Sequence, residues 1–256
     1  MIALITDFGL TDLYVGVVKG VIKSINPRAD IVDVTHGVKS FSITDAQFTL
    51  HSSIAYFPSG TIFAIVVDPG VGTDRKGLIA VSKTHAYVLP DNGIISAVKQ
   101  EGMRYYHIYE TSYPEASATF HGRDVFAPVA ARLSLGQKPE KLGTRVRDIV
   151  MRPFPEYSVD KHGCSGVVLH IDKFGNATTS IPNGAIDSIS GPICSVVSDQ
   201  YSFNAVYART YGDIGSGQCG MIRGSAGFME LGANQKSIAE TFGIAVGDQI
   251  VINNTI

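Results

Sequence analysis

Apolar and polar positions along this chain fall into blocks whose period changes. Ile2 to Ile5 is a short apolar run closed by Thr6-Asp7-Phe8-Gly9. Tyr14 to Ile25 then sets Val17, Val18, Val21, Ile22 and Ile25 against Lys19 and Lys23, the period of an amphipathic helix. Thr11 or Asp12 is placed to cap that helix and Asn26-Pro27 to end it. Ala29 to Val34 reads as a second strand. Ser42 to Ala55 reads as a second helix, with Phe41, Ile43, Ala46, Phe48, Leu50 and Ile54 as its apolar set. Ile62 to Val67 is an almost unbroken β-branched and aromatic run, suited to a strand buried on both faces. This strand–helix alternation predicts an α/β domain with a mainly parallel sheet flanked by helices.

Two further strands, Gly77 to Val81 and Ala86 to Leu89, are joined by a short turn, and Pro90-Asp91-Asn92-Gly93 is a strong turn signal before a helix from Ile94 to Gln100. A short strand follows at 104–109. Thr119 to Phe126 leads into a helix from Val125 to Leu135. His121 and Arg123 thereby stand at a helix start, where free N–H groups and the dipole favour anions. Near residue 150 the pattern changes: Met151-Arg152-Pro153-Phe154-Pro155-Glu156 is proline-rich and lacks a helical period. Beyond it, short strands are expected at Gly166–Asp172, Ala177–Ile181, Ile193–Val197, Phe203–Ala208, Gly220–Met229 and Gln249–Asn253, with one helical piece at Ser237–Phe242. That spacing suits a small barrel or sandwich. The expected organisation is therefore an α/β domain over 1–150, a linker over 151–160 and a smaller all-β, barrel-like domain over 161–256.

Composition narrows the function classes. A chain of 256 residues with net charge -2 has no broad basic face for nucleic acid. Cys164, Cys194 and Cys219 are far apart and in no Cys-x-x-Cys spacing, so neither a disulfide framework nor a zinc knuckle is indicated. No His-x-His or His-Glu-x-x-His spacing occurs, and no metal or cofactor is expected. Met1 runs directly into Ile-Ala-Leu-Ile without a basic n-region, and no apolar run reaches membrane-spanning length. A cytoplasmic protein without membrane or nucleic-acid partners is expected.

Candidate chemistry centres on the end of the Ile62–Val67 run. Asp68 is followed by Pro69, Gly70 and Gly72, so the chain must leave the sheet there and present a carboxylate at a strand's carboxyl end, where open α/β sheets place ligands. Arg75 is close enough to fold back onto Asp68. The competing reading is a surface turn with a solvated ion pair. Asp7, Asp12 and His121 can share the same sheet edge. Arginine cannot give up its proton, so it would hold Asp68 ionised, while the carboxylate and a neutral histidine accept hydrogen bonds from one water. In the second domain, Asp172, Phe174 and Asn176 at a strand end suit an amine, a flat ring and a polar ring edge. The loops Tyr211-Gly212-Asp213 and Arg223 to Phe228 are glycine-rich and ambiguous.

Together, Ile-Thr-Asp-Phe-Gly-Leu-Thr-Asp (5–12), Val-Val-Asp-Pro-Gly-Val-Gly (66–72) with Arg75, Leu-Pro-Asp-Asn-Gly (89–93), Thr-Phe-His-Gly-Arg-Asp-Val-Phe-Ala-Pro (119–128) and Ile-Asp-Lys-Phe-Gly-Asn (171–176) resemble the S-adenosyl-L-methionine hydroxide adenosyltransferases. That family is related to enzymes that attach fluoride or chloride to the 5′ carbon of the same substrate. The resemblance covers nearly the whole chain, in order. It implies a homotrimer with active sites between subunits and hydrolysis of S-adenosyl-L-methionine to adenosine and L-methionine. By this resemblance Asp68, Arg75 and His121 handle the water and Asp7 holds the ribose hydroxyls. Asp12, Asp172 and Ser225 meet the methionine end, Phe174, Asn176 and Tyr211 surround the adenine, and Glu230 also belongs to the substrate site. The halogenating relatives carry a tyrosine in place of Asp68 and a serine in place of Gly122; a carboxylate repels halide, so water or hydroxide fits better. They also carry an arginine where this chain has Ala226, so another donor, such as the loop's backbone N–H groups, must meet the methionine carboxylate, or the substrate is held more weakly. The alternatives are a non-catalytic sensor of S-adenosylmethionine or adenosine, and a chlorinase-like halide transferase.

Overall fold

The computed structural model describes residues 1–154, 156–188 and 192–254. Two compact units divide the chain, Met1–Arg152 and Pro153–Ile256. Of the proline-rich connection, Pro155 lies outside the described residues.

The first unit is a sheet with helices packed on it. Its strands are β1 (Ile2–Thr6), β2 (Ile31–Thr35), β3 (Ile62–Val66), β4 (Gly77–Val81), β5 (Ala86–Pro90), β6 (Arg104–Ile108) and β7 (Gly143–Val146), in spatial order β2-β1-β3-β5-β4-β6-β7. Only half of this sheet is parallel. β2, β1, β3 and β5 pair in parallel, whereas β5–β4, β4–β6 and β6–β7 are antiparallel. The expectation of a mainly parallel sheet is corrected to a mixed one, and the cause is local. β4 and β5 are joined through a tight turn in which Ser82 N–H bonds His85 C=O at 2.9 Å, and so short a connection cannot return a strand in parallel.

Helices α1 (Tyr14–Ile25), α2 (Ile43–Ile54) and α3 (Ala127–Ser134) supply the cover. Val18 and Ile22 of α1 join Val129, Ala130 and Ala131 of α3 in one core with β1 and β3. Every residue of β1 and β3 is buried, which explains their unbroken apolar runs. Three sequence expectations need correction here. Neither Thr11 nor Asp12 caps α1: the N-cap is Leu13 and no side chain bonds to the first turn. Phe41 is not in the apolar set of α2; it precedes the Ser42 cap, has φ +65° and is 71% exposed. The helix expected at Ile94–Gln100 is a tighter 3₁₀ turn, Ile94–Val98.

The helix expected over Val125–Leu135 begins earlier and wider. Gly122–Phe126 forms a turn of π-helix in which Ala127 N–H reaches Gly122 C=O. Pro128 supplies the reason: it has no N–H to give to the preceding turn and its ring crowds the carbonyl four residues back, so a regular α-turn cannot run through it.

The second unit is a barrel. Its strands are β8 (Tyr157–Val159), β9 (Gly163–Ile171), β10 (Ala177–Pro182), β11 (Ile193–Val197), β12 (Ser202–Tyr207), β13 (Cys219–Arg223), β14 (Phe228–Ala233) and β15 (Gln249–Asn254), with a short helix α4 (Ile238–Phe242). The order β10-β14-β13-β12-β11-β15-β9 closes by pairing β9 with β10, and β8 adds to the remaining edge of β9. Closure leaves no long bare edge. Val168, Ala177, Ile181, Val196, Met221, Leu231 and Ile252 fill the interior. The single strand expected over Gly220–Met229 is two strands around the Gly224–Gly227 turn, where Gly227 takes φ +88°. β7 and β8 carried no sequence signal strong enough to be expected. No helix among the described residues is long and apolar enough to cross a membrane.

Candidate active site

β1 and β3 run in parallel with Thr6 opposite Val66, so the residues that follow them emerge side by side. A pocket of about 320 Å³ opens there, lined by Asp7, Asp68 and His121 together with Phe8, Tyr14, Ser40, Phe41, Val66, Val71, Thr119, Phe120 and Gly122. Its wall is an aromatic triangle: ring centroids of Phe8, Tyr14 and Phe120 lie 5.1 to 5.8 Å apart.

Arg75 folds back across the glycine-containing turn. Its Nε donates to Asp68 Oδ1 at 3.1 Å and its Nη2 to Asp68 Oδ2 at 2.5 Å. The two side chains are only 7% and 6% exposed, so this is a buried bidentate pair rather than a solvated one. Nη2 also meets His121 Nδ1 at 3.0 Å. Arginine has no acceptor, so the histidine nitrogen facing it must present its lone pair, and the ring proton of the neutral tautomer sits on Nε2. His121 can therefore donate to a water through Nε2, but as it stands it cannot accept from one. Arg75 Nη1 is buried with no hydrogen-bond partner among the described residues, and the guanidinium lies 5.4 Å from the centre of the Phe126 ring.

Burial pushes the Asp68 carboxyl above the ordinary carboxylate range, and the charge of Arg75 offsets only part of that. Asp7 is raised as well, first by burial; the Phe41 N–H bonded to its Oδ2 at 2.9 Å pulls the other way and the nearby Asp68 charge adds to the rise. Asp12 is exposed and lines neither this pocket nor the one in the barrel. Arg123 pairs with Asp124 at 2.6 and 2.8 Å and is not among the residues lining the pocket.

The barrel carries a pocket of about 660 Å³. Asp172, Phe174, Asn176, Tyr211, Ser225 and Glu230 all line it, with Ala233, Asn234, Gln235, Lys236 and Ser237. Asp172 Oδ1 accepts the Phe174 and Asn176 N–H groups, each at 2.9 Å, and its Oδ2 accepts Asn176 Nδ2 at 3.0 Å. The turn is held tightly because Gly175, at φ +81°, sits where any Cβ would strike Ser237. Gly232 leaves room for the Tyr211 ring, which a Cβ there would approach to 2.6 Å. Phe174 is 64% exposed. Burial and the charge of Asp172 raise the Glu230 carboxyl.

Sequence reasoning did not single out Phe8, Tyr14, Phe41 or Phe120 in the first pocket, or Asn234, Gln235 and Lys236 in the second. Phe8 and Phe120 adjoin Asp7 and His121 in the motifs already quoted, and that adjacency was the available signal. Phe41 had none, since its left-handed backbone is invisible in a helix-like pattern. Among the described residues no group of three or more His, Cys, Asp or Glu side chains converges to hold a metal ion.

Residues 2–143 match the SAM hydroxide adenosyltransferase N-terminal domain and residues 166–251 its C-terminal domain. The chain is 35% identical over 257 residues to the (R)-S-adenosyl-L-methionine hydrolase of Thermus thermophilus, with 95% of each chain covered. It is 36% identical over 190 residues to the protein of that name from Methanocaldococcus jannaschii, covering 71% of this chain and 66% of that one. A fluorinase from Actinopolyspora mzabensis is 27% identical over 292 residues, covering 100% of this chain and 97% of its own. Among solved structures, an uncharacterized conserved protein from Thermotoga maritima superposes with a TM-score of 0.90 at 36% identity, covering 99% of this chain and 100% of that one. With both domains matched in order and these identities held across most of its length, the chain belongs to the SAM hydroxide adenosyltransferase family.

Proposed function

We infer that this protein hydrolyses (R)-S-adenosyl-L-methionine to adenosine and L-methionine. The observation that carries the reading is the buried Asp68–Arg75 pair with His121 bonded to it, Asp68 and His121 lining an aromatic pocket, in a chain whose relatives are named for this hydrolysis. Water attacks the ribose 5′ carbon opposite sulfur; the C–O bond forms as the C–S bond breaks, and the electron pair leaves with sulfur. Sulfonium departs as a neutral thioether, so no general acid is needed, and the rate depends on placing one desolvated nucleophile in line.

The hydrogen bonds divide the roles. His121, its Nδ1 occupied by Arg75, orients the water by donating from Nε2. Asp68 is left as the proton acceptor, and its raised carboxyl makes it a better base than a free aspartate. The charge of Arg75, held against Asp68, favours negative charge developing on the attacking water. Asp7 holds the ribose hydroxyls, and the barrel residues Phe174, Asn176 and Tyr211 the adenine. Asp172, Ser225 and Glu230, which line the barrel pocket, serve the methionine end. Lys236 is the one lysine or arginine among the described residues lining either pocket, and it meets the methionine carboxylate in place of the arginine missing at Ala226. We further propose a cytoplasmic homotrimer without metal or cofactor, in which the first pocket of one subunit is completed by the barrel pocket of the next.

A halide transferase fits less well. A serine in place of Gly122 would put its Cβ 3.0 Å from Val66 Cγ1 and 3.3 Å from the Phe8 and Phe120 rings, so this pocket has no room for that donor without shifting its wall. A ligand-holding sensor would have no use for a buried pair dedicated to water. The test is product analysis with each sulfonium epimer, with and without chelator and chloride. Adenosine and methionine from the R epimer in every condition support the reading, and a 5′-chloronucleoside or intact substrate overturns it.

A further inference from the structure

Asp91 and Asn92 line neither pocket, yet their bonds run to the loop that carries the proposed water-handling pair. Asn92 Nδ2 donates to the C=O of Val67, the residue before Asp68, at 3.0 Å. The Asp91 backbone N–H donates to the C=O of Lys76, the residue after Arg75, at 2.8 Å. One turn thus grips both ends of the 68–75 loop.

That turn is itself fixed from several sides. Asp91 Oδ2 pairs with His107 Nε2 at 3.0 Å and its Oδ1 accepts the Val150 N–H at 2.9 Å. Gln47 Nε2 donates to the Gly93 C=O at 3.1 Å, and Arg152 Nε to the Asn92 C=O at 3.1 Å. Gly93 stands at φ +98°, against the Arg152 side chain, and tolerates no Cβ. Within the loop itself, Val71 N–H bonds Asp68 C=O at 3.3 Å and Thr73 N–H bonds Gly70 C=O at 3.2 Å, and neither bond holds the Val67 carbonyl.

We propose that Asn92 is a positioning residue for the hydrolysis: by holding the Val67 carbonyl it sets where the Asp68 carboxylate stands relative to the attacking water. This rests on the reading of Asp68 given above. A single peptide unit separates the held carbonyl from the Asp68 Cα, so a released carbonyl lets the carboxylate move. Displacements of about 1 Å at an attacking group cost roughly 10²-fold in rate. The Asp91 contact is made by backbone and survives side-chain substitution, which leaves Asn92 as the replaceable half of the grip.

The test pairs Asn92→Ala with Asn26→Ala. Asn26 is a matched control: its Nδ2 donates to Ser134 Oγ at 2.8 Å and its Oδ1 accepts an N–H two residues on at 3.1 Å, as Asn92 Oδ1 does from Ile94 at 3.4 Å. Both variants should lower Tm. Only Asn92→Ala should lower kcat, by about 10- to 100-fold with KM within about twofold, and speed amide hydrogen exchange across residues 68–75. An Asn92→Ala variant with unchanged kcat and exchange overturns the assignment, as does a kcat loss that Asn26→Ala reproduces. If the unmodified protein releases no adenosine, the hydrolysis fails and not the grip, which is then judged on exchange alone: faster in Asn92→Ala supports it, unchanged refutes it.

Discussion

Asp68 and Asp172 both stand just beyond a strand and just before a glycine turn, but they are used in different ways. Asp172 is satisfied within its own turn, by the N–H groups of Phe174 and Asn176 and the Asn176 amide. Asp68 takes its partner from seven residues away, and that partner bridges to His121. A carboxylate closed by its neighbours shapes a turn, and one closed by distant groups can be tuned for chemistry.

The sharpest break of this contrast is Asp68→Ala. Turnover should fall by about 10³-fold or more, through loss of the base. Arg75 would be left buried without its partner, which costs about 3 to 5 kcal/mol and shows as a lowered Tm. Asp172→Ala should instead weaken substrate binding with kcat largely kept. Steady-state kinetics on both variants would settle the comparison.

The pH dependence follows from the raised Asp68 carboxyl. With Asp68 as the proposed base, turnover needs it ionised, so the rate should fall as pH drops through its raised value and the acid limb of kcat should lie above the range of an ordinary aspartate. A limb at the usual aspartate position would contradict Asp68 as the base.

Lys236→Ala tests the barrel side at smaller amplitude. Losing an exposed charge–carboxylate contact should raise KM by about threefold to tenfold with little change in kcat. Unchanged KM would remove Lys236 from the site.

The smallest effect is expected at Glu230. A carboxyl raised by folding takes up a proton more readily in the folded than in the unfolded chain, so its contribution is most favourable at low pH. It is lost as pH climbs from the unfolded value through the raised one. Glu230→Gln should therefore raise Tm near neutral pH, through a stability gain of less than about 1 kcal/mol because the group is partly solvated, and the gain should vanish in acid. Calorimetry at two pH values measures it.

Much of the candidate site could be located from residues alone because its carriers sit where the chain must turn. The Ile62–Val67 run and Pro69 force Asp68 out at a strand end, and Asp7 follows the same logic after β1. What was not read has both local and remote causes. The parallel half of the sheet followed from alternation, but the antiparallel half depended on treating the Ser82–His85 turn as a hairpin. The wide turn at Gly122–Phe126 follows from Pro128, a residue easily passed over inside a helical pattern. That His121 presents a lone pair to Arg75, and so cannot accept from water, required a distance no spacing supplies.

Hydrolysis at the 5′ carbon is tested by incubation with (R)-S-adenosyl-L-methionine in oxygen-18 water, with chelator present and chloride varied, followed by mass analysis. Attack of water at the 5′ carbon puts one heavy oxygen in the adenosine and none in the methionine, at a rate indifferent to chelator and chloride. Adenosine without heavy oxygen, or product that requires metal or halide, would contradict attack of water at the 5′ carbon.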